Sequence, residues 1–275
     1  MKLAALFNHE NALPTAPKVI QELIDSFTNE GISSDALARR IAVDPVLSAN
    51  LLRLANSAYY RVSRQISSVE AAVTMLGFVT VRTLVITCSL VTRFKATPGI
   101  DQKQFWRYSL STAVAAKWLA KRRGEDAELA FTIGIVHSIG ELMMHLGMPE
   151  EMATLDKIAS PFHENRLQME QDVFGFNFSD VSAELVSRWK FPEAMVAAIS
   201  AFSRPVNPKS FNSLGVILNL AAWVARADEA RLSADELRAT CPAKLAVVLG
   251  LPSSVILDEM PPLAELRAGL EDLMP

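Results

Sequence analysis

The chain has 275 residues, of which half are hydrophobic, 21% are charged and only 11 are glycine. This length allows a sizeable buried core in one large or two smaller domains, and the composition excludes a disordered, collagen-like or disulfide-stapled protein. The net charge of −3 gives no overall attraction to nucleic acid or an anionic membrane, although residues 1–95 hold ten Lys and Arg against seven Asp and Glu, a local excess of three.

The two most apolar segments near the N-terminus predict neither export nor a membrane anchor. The apolar run at residues 3–7 is shorter than the roughly 7–15 residues of a secretory signal. Residues 71–91 are long enough to cross a bilayer, but Arg82 lies in their middle and Gly77 divides them, so we expect two buried helices. Cys88 and Cys241 are far apart and belong to no C-x-x-C motif, which fits a reducing compartment. We predict a cytoplasmic protein without a membrane partner.

Helical spacing of apolar residues runs through the N-terminal part, and no stretch alternates with period two, so we predict an all-α protein. The first helix follows Pro17 and ends near Gly31. Its apolar stripe consists of Val19, Ile20, Leu23, Ile24 and Phe27. Ser33 or Ser34 caps the next helix. Three further starts are predicted, at Asp44-Pro45, at the capping box Ser67-x-x-Glu70, and near Val79.

A turn at Thr97-Pro98-Gly99 separates two predicted subdomains, residues 1–98 and 99–275. A long helix over residues 102–123 should lie at the centre of the second, because its small-residue face permits close helix contact. Later helices are predicted at residues 126–145, 161–174, 179–190, 192–202, 211–227, 234–239, 243–249 and 263–273. Ser160-Pro161 and the Ser233 capping box mark two of these starts.

One cluster has the residue types of a metal site, His137-x-x-x-Glu141-x-x-x-His145. Eight residues of straight helix rise about 12 Å, too far for both imidazoles to reach one ion at about 2.1 Å. Glu141 could pair with either histidine only if other helices supplied further ligands. We therefore expect neither a metal nor a cofactor. No phosphate-binding glycine loop or nucleophile elbow is present either.

The segment that contains Asp44-Pro45 resembles a helix-turn-helix, which in other proteins enters the DNA major groove. The second helix begins Val46-Leu47-Ser48, with little to contact phosphate or base edges. Binding to nucleic acid is therefore unfavoured, although it stays open as an alternative.

A second candidate surface follows this helix pair. Its residues are Asn56, Ser57, Tyr59, Tyr60, Arg61 and Arg64. They are open to two interpretations. They either form a turn, with polar side chains bonded to the local backbone, or they contact a partner, since exposed Tyr and Arg dominate interfaces.

A series of motifs in order along the chain resembles the HDOD family, whose name stands for HD-related output domain. The motifs are Leu13-Pro14, Asp44-Pro45-Val46-Leu47, Leu51 to Ala58, Ile66-Ser67-Ser68-Val69, Leu76-Gly77, Phe105-Trp106, Gly134 to Gly140, Phe174-Gly175 and Trp189-Lys190-Phe191-Pro192. The resemblance implies a helical fold related to metal-dependent HD phosphohydrolases, with an N-terminal helical subdomain packed on an HD-like bundle. Members are typically bacterial signalling modules that contact partners.

The resemblance also implies that the metal ligands of the HD enzymes are missing. The first ligand position corresponds to Tyr108, the His-Asp pair to His137-Ser138, and the last position falls near Ala222-Trp223. A pair of histidines found in many relatives is replaced by Phe202-Ser203. We therefore interpret His137 and Ser138 as a vestigial site and predict no catalytic residue.

These observations predict a non-enzymatic regulatory module that binds a signalling protein, with a small ligand such as a nucleotide as a further partner. Two alternatives stay open. One is an HD-type phosphohydrolase with altered metal ligands. The other is a transcriptional regulator that binds DNA.

Overall fold

A computed structural model describes residues 3–7, 18–25, 33–94, 96–205 and 211–270. Within these ranges all regular structure is helical, which confirms the all-α prediction. The predicted features at Leu13-Pro14, Pro17, Phe27 and Gly31 lie outside the described residues.

The first part of the chain contains six helices: α1 Leu3–Leu6, α2 Lys18–Asp25, α3 Ser34–Ala42, α4 Pro45–Ala55, α5 Val69–Leu76 and α6 Phe78–Arg93. The described remainder contains α7 Gln102–Arg123, α8 Ala127–Val136, α9 Ile139–Gly147, α10 Pro149–Asp156, α11 Arg166–Phe174, α12 Phe178–Arg188, α13 Glu193–Ser200, α14 Ser213–Ala230, α15 Ala234–Thr240, α16 Ala243–Leu249, α17 Ser253–Asp258 and α18 Leu263–Leu266.

Side-chain caps fix several helix starts where the sequence predicts them. Ser33 accepts a hydrogen bond from the Ala36 amide, and Asp44 accepts from the amides of Val46 and Leu47 at 2.9 and 3.1 Å. The helix pair α3 and α4 therefore exists as predicted. The Ser233 capping box is also confirmed, with both of its hydrogen bonds present.

One predicted capping box is wrong. Helix α5 begins one residue later than expected, because the hydroxyl of Ser68, and not that of Ser67, accepts from the Ala71 amide at 3.1 Å. Glu70 then lies inside the first turn, one position too early to reach back to the cap.

Helix α7 forms the centre of the second part and packs mainly against α8 and α14. Its small-residue face, Ser109, Ala113, Ala116 and Ala120, is fully buried. The closest approach is at Gly134 of α8, where an added Cβ would lie 2.4 Å from the Cα of Ala113. Small residues on both helices therefore allow the backbones to meet, as the sequence predicts.

The single helix predicted at residues 126–145 is wrong, since the chain breaks between α8 and α9 at His137 and Ser138. The break lets the His137 ring fold back onto the carbonyl of Gly134. It also leaves the Gly140 amide free to donate to the Ser182 hydroxyl of α12 at 2.8 Å. Contact with α12 therefore provides the hydrogen bond that a continuous helix would have supplied.

Two further boundaries differ from the sequence predictions. Ser160-Pro161 does not start a helix, because residues 160–165 form turns and α11 begins at Arg166, whose side chain is held in a buried ion-pair network. Helix α18 ends at Leu266, before the predicted end at residue 273. Gly269, three residues after Leu266, has a left-handed backbone with φ +85°. The short helices α1, α10 and α17 are absent from the predictions.

The two predicted subdomains share one continuous apolar core. Helix α6 packs on α8, and the hydroxyls of Thr83 and Thr132 lie 3.2 Å apart across this seam. Residues 3–7 also lie against the second part, where the Arg188 guanidinium stands 4.5 Å from the ring centroid of Phe7. The boundary at residues 98 and 99 stays a prediction.

The range Ala127–Gly147 is long and apolar enough to cross a membrane, but 89% of its most apolar window is buried inside the protein. Burial within the core accounts for this apolarity, since α8 and α9 pack between other helices. Cys88 and Cys241 are both free thiols.

Candidate functional site

The His137 imidazole is fully buried at the end of α8, and both of its ring nitrogens have partners. Nδ1 lies 2.7 Å from the carbonyl oxygen of Gly134, and Nε2 lies 3.4 Å from the hydroxyl of Tyr108. Burial lowers the pKa of His137 to about 4, and the Arg226 cation opposes protonation as well, against a weaker rise from the Gly134 carbonyl. The ring is therefore neutral, with its proton on Nδ1 donated to the carbonyl.

The hydroxyl of Tyr108 connects His137 to α14. An N–H of the Arg226 guanidinium lies 3.5 Å from this hydroxyl, which is free to donate its own proton to His137 Nε2. These groups form one hydrogen-bonded chain that runs from Arg226 through Tyr108 and His137 to the Gly134 carbonyl. Each nitrogen of the imidazole is thus already used by the protein.

Two other positions that the resemblance singles out, Ser138 and Phe202, lie close to the same ring. Ser138 is buried, with its hydroxyl 3.2 Å from that of Ser109 on α7. The Phe202 ring packs against His137 with centroids 5.5 Å apart. On α14, Ala222 is buried, whereas the indole N–H of Trp223 approaches the Thr240 hydroxyl at 3.4 Å. Tyr108, His137, Ser138 and Phe202, which the resemblance singles out, therefore lie close together in the structure.

This group of residues borders a cavity of about 150 Å³, here called the inner chamber. Five aromatic residues line it, Phe105, Tyr108, Phe162, Phe178 and Phe202. Its polar and charged lining consists of Ser138, Glu141, His163, Glu164, Arg166, Asn219 and Arg226. A second cavity of about 340 Å³, the outer chamber, is lined by residues of the linker before α7, of the turns after α10, and of α14. Pro161, Phe162 and Arg226 line both chambers.

A buried ion-pair network lies beside the inner chamber, centred on Arg166. Its guanidinium donates to Glu141 at 2.7 Å, to Asp156 at 2.8 Å and to Glu170 at 2.7 Å. His145 joins the network, with Nε2 2.9 Å from Asp156 and Nδ1 2.8 Å from the carbonyl of Glu141. Three helices, α9, α10 and α11, therefore meet through charged groups.

The carboxyl groups of this network do not ionise normally. Burial raises the pKa of Glu141 well above its usual value, and the neighbouring Glu170 raises it further. Burial also raises the pKa of Glu170, although a hydrogen bond with Glu141, the Arg166 cation and the Phe178 amide oppose the rise. Glu141 is thus the carboxyl that retains a proton most readily, and its Oε2 has no hydrogen-bond partner in the described part of the chain.

These residues do not fit a metal. Possible ligand atoms of Glu141, His145 and Asp156 lie within 4.8 Å of one another. Arg166 already supplies the positive charge between the two carboxylates, however, and a metal cation would be repelled there. At the HD-type position, Tyr108, Ser138 and Phe202 offer neither an imidazole nor a carboxylate, so the metal of that enzyme class does not fit either.

The predicted contact surface divides into two kinds of residue. Asn56 clamps its own loop: its amide donates to the carbonyls of Leu52 and Ile66 and its oxygen accepts from the Ile66 amide, all at 2.7–2.8 Å. This side chain bonds the local backbone, as the structural interpretation predicts.

The two tyrosines of this surface are half-buried and pack edge to face, with centroids 4.9 Å apart. Burial raises the pKa of Tyr60, and Lys117 lies 5.5 Å from the ring centroid of Tyr59. Ser57 is also half-buried, whereas Arg61 and Arg64 are exposed to solvent. The surface available to a partner is therefore mainly the two arginines, and the contact itself stays a prediction.

Two functional residues, Arg166 and Arg226, are absent from the predicted site. Arg166 follows a segment misread as helix, and nothing in the local pattern shows that its side chain points into the core. Arg226 lies on an apolar helix only four residues from Ala222, so its position facing the vestigial site could have been found from helical spacing.

The profile of the HDOD domain family matches residues 13–205. A Shewanella amazonensis protein provisionally named a phosphohydrolase is 32% identical, with 98% of this chain and 97% of that chain covered and a TM-score of 0.79. An HDOD domain protein of unknown function from Geobacter sulfurreducens is 25% identical, with 99% and 97% covered and a TM-score of 0.80.

Two further relatives are longer than this chain. A Marinobacter aquaeolei protein, provisionally named a signal transduction protein, shares the fold at 21% identity and a TM-score of 0.73, with 95% of this chain and 58% of that chain covered. A Treponema pallidum protein of uncharacterised function is 24% identical over 201 residues, and the match spans 72% of this chain but only 39% of that protein's length.

Proposed function

This chain belongs to the HDOD domain family, and on that premise we propose that it is a non-enzymatic, cytoplasmic module of bacterial signal transduction that acts by binding a protein partner. Support comes from the implied role of the family and from a fold shared with a protein named for signal transduction. The mode of action is a shift between conformations when a partner or small ligand, such as a nucleotide, binds near the subdomain cleft.

One observation carries the non-enzymatic part of this proposal. His137, the one histidine left at the HD-type position, is buried, neutral and hydrogen-bonded on both nitrogens, to Gly134 and Tyr108. A hydrolase of this class needs several nitrogen and oxygen ligands on a divalent ion to generate a nucleophilic water. The neighbours that would complete such a set are Tyr108, Ser138 and Phe202, which supports binding rather than catalysis.

The exposed arginines Arg61 and Arg64 provide the test of partner binding. Arg61→Glu and Arg64→Glu should leave the free energy of unfolding within about 0.5 kcal/mol of the parent, because both side chains face solvent. In affinity capture from native lysate followed by mass spectrometry, both variants should lose a protein that the parent retains. Arg238→Glu, on the exposed face of α15, is the matched control and should keep it.

Tyr59→Ala is a poor probe of the same surface. The Tyr59 ring is half-buried, packs edge to face on Tyr60 and contacts Lys117. The substitution would therefore disturb folding as well as contact. Equal capture by the parent and both arginine variants would show that the partner surface lies elsewhere.

A metal-dependent phosphohydrolase is the second candidate, favoured by the provisional name of the 32% identical Shewanella amazonensis relative. For this function, His137 would have to give up a hydrogen bond to Gly134 or Tyr108 and bind a metal through the freed nitrogen. DNA binding through α3 and α4 stays a prediction, for which a gel-shift series at rising salt is the test.

A further inference from the structure

The inner and outer chambers are neighbours, since Pro161, Phe162 and Arg226 line both, and the two together are called the cleft below. We propose that this cleft binds a small organic anion built from one flat ring and one carboxylate group, with the ring in the inner chamber and the carboxylate on Arg226. The inference rests on the proposed function, because it names the chemical class of ligand that would bias the module.

The inner chamber has the shape and surface for a flat ring. Tyr108 and Phe162 pack against each other with their rings tilted by 55° and centroids 5.0 Å apart, and Phe178 and Phe202 form a second tilted pair at 5.9 Å. Aromatic rings at such distances stack offset or edge to face with one another, and they offer the same contacts to a ring of similar size. A cavity of about 150 Å³ has room for a single ring.

Arg226 is the cation available to an anionic group. It is half-buried, and its one hydrogen bond to the described residues is the 3.5 Å contact with the Tyr108 hydroxyl. No carboxylate within the described ranges pairs with it. By contrast, Arg107 is bonded twice to Glu229, and Arg166 binds three carboxyl groups. A half-buried guanidinium without a counter-ion gains most from a carboxylate that can accept two N–H bonds.

The charges around the outer chamber limit the ligand to one negative charge. Asp101 and Glu229 both line this chamber. Arg107 is bonded to Glu229 and also lies near Asp101, so one cation serves two carboxylates there and a second negative charge on the ligand would be repelled. A phosphate group, which carries nearly two charges at neutral pH, is therefore disfavoured against a carboxylate.

Glu141 supplies a second, independent indication of a ligand. Its side chain is 3% exposed and lines the inner chamber, and its Oε2 has no hydrogen bond to the described residues. A buried polar atom without a partner is costly, and a hydroxyl group on the ligand ring would satisfy it. The cleft should therefore prefer a ring with a hydroxyl group over the unsubstituted ring.

The cleft also touches the segments that could transmit binding. Gly99, Ile100 and Asp101 of the outer chamber belong to the connection between the predicted subdomains. Phe162 lies in the turns of residues 160–165, with no regular helix to hold it. A ligand between these segments would fix both, and so couple the cleft to the relative position of α6 and the second part.

Isothermal titration calorimetry of the full chain with benzoate and 4-hydroxybenzoate tests this inference. We expect benzoate to bind with a Kd of about 10 mM or lower and 4-hydroxybenzoate to bind more tightly. Neutral benzamide should not bind. Arg226→Gln should weaken benzoate binding about tenfold or more, because a charged hydrogen-bond pair is lost. Arg238→Gln, an exposed arginine elsewhere, should bind as the parent does.

Phe162→Ala serves as a second variant should Arg226→Gln fail to fold, and it should weaken benzoate binding through loss of the ring contact. The inference is overturned if benzoate gives no heat, if benzamide binds equally well, if neither variant weakens binding, or if adenosine monophosphate binds in place of benzoate. Because these titrations need no protein partner, their failure is distinct from failure of the lysate capture.

Discussion

At the scale of single residues, His137 and Arg166 carry the account, and each is buried for a different reason. His137 stays neutral because its burial and the nearby Arg226 make protonation unfavourable. Arg166 stays charged because three carboxyl groups surround it. His137 has both ring nitrogens in hydrogen bonds with the protein. The Arg166 guanidinium lies between carboxyl groups that would otherwise attract a metal cation.

The titration of His137 predicts a loss of stability in acid. Its ordinary pKa is 6.5 and its folded pKa is about 4, so between these values the unfolded chain takes up a proton that the folded chain does not. The stabilisation is fully present above pH 6.5 and falls as the pH drops towards 4, by about 3 kcal/mol. His137→Gln should lack this part of the pH dependence in urea unfolding.

His163→Gln is the matched control, since His163 is exposed in the turns before α11. It should show the same acid-dependent loss as the parent. If His137→Gln and the parent lost stability in parallel between pH 6.5 and 4, the imidazole would not be held neutral by its surroundings.

Arg166→Met should lower the free energy of unfolding by about 3–5 kcal/mol, because the buried Glu141 and Glu170 and the half-buried Asp156 would lose their shared cation. Arg238→Met removes an exposed ion pair with Asp258 and should change stability by less than about 1 kcal/mol. Chemical denaturation of both variants measures the difference. A loss of similar size in the two would mean that the network contributes no more than a surface pair.

At the scale of helices, local signals were sufficient wherever the cap and the capped amide are close in sequence. Asp44 and Ser233 both start helices where the sequence predicts, because each bonds an amide within three residues. The break at His137 and Ser138 was not predictable in this way. The break depends on Ser182, whose hydroxyl accepts a hydrogen bond from the Gly140 amide although the two residues are 42 positions apart in the sequence.

The contact between α7 and α8 gives a prediction at this scale. Gly134→Ala should destabilise the protein by about 1–3 kcal/mol, because its Cβ would lie 2.4 Å from the Ala113 Cα and the two helices would have to separate. Gly124→Ala serves for comparison, since its site is open and its cost of about 1 kcal/mol comes from the left-handed backbone alone. Thermal unfolding that ranked Gly124→Ala as the more damaging change would contradict the close approach.

At the scale of the whole molecule, the sequence was enough for the helical class and the family, because a series of short motifs over most of the chain carries the resemblance. The candidate site was recovered only in part. Tyr108, His137 and Phe202 were placed by motif position, but Arg166 and Arg226 act through contacts between distant segments. Such contacts leave no period or spacing in the sequence, so the cleft that they form had to come from the structure.

The most direct test of the central claim, that the HD-type position serves binding and not catalysis, is the metal content of the chain purified without chelator from cells supplied with iron, manganese and zinc. The account predicts far less than one metal ion per chain, and the same trace amount in His137→Gln. A stoichiometric transition metal that disappears in His137→Gln would contradict it.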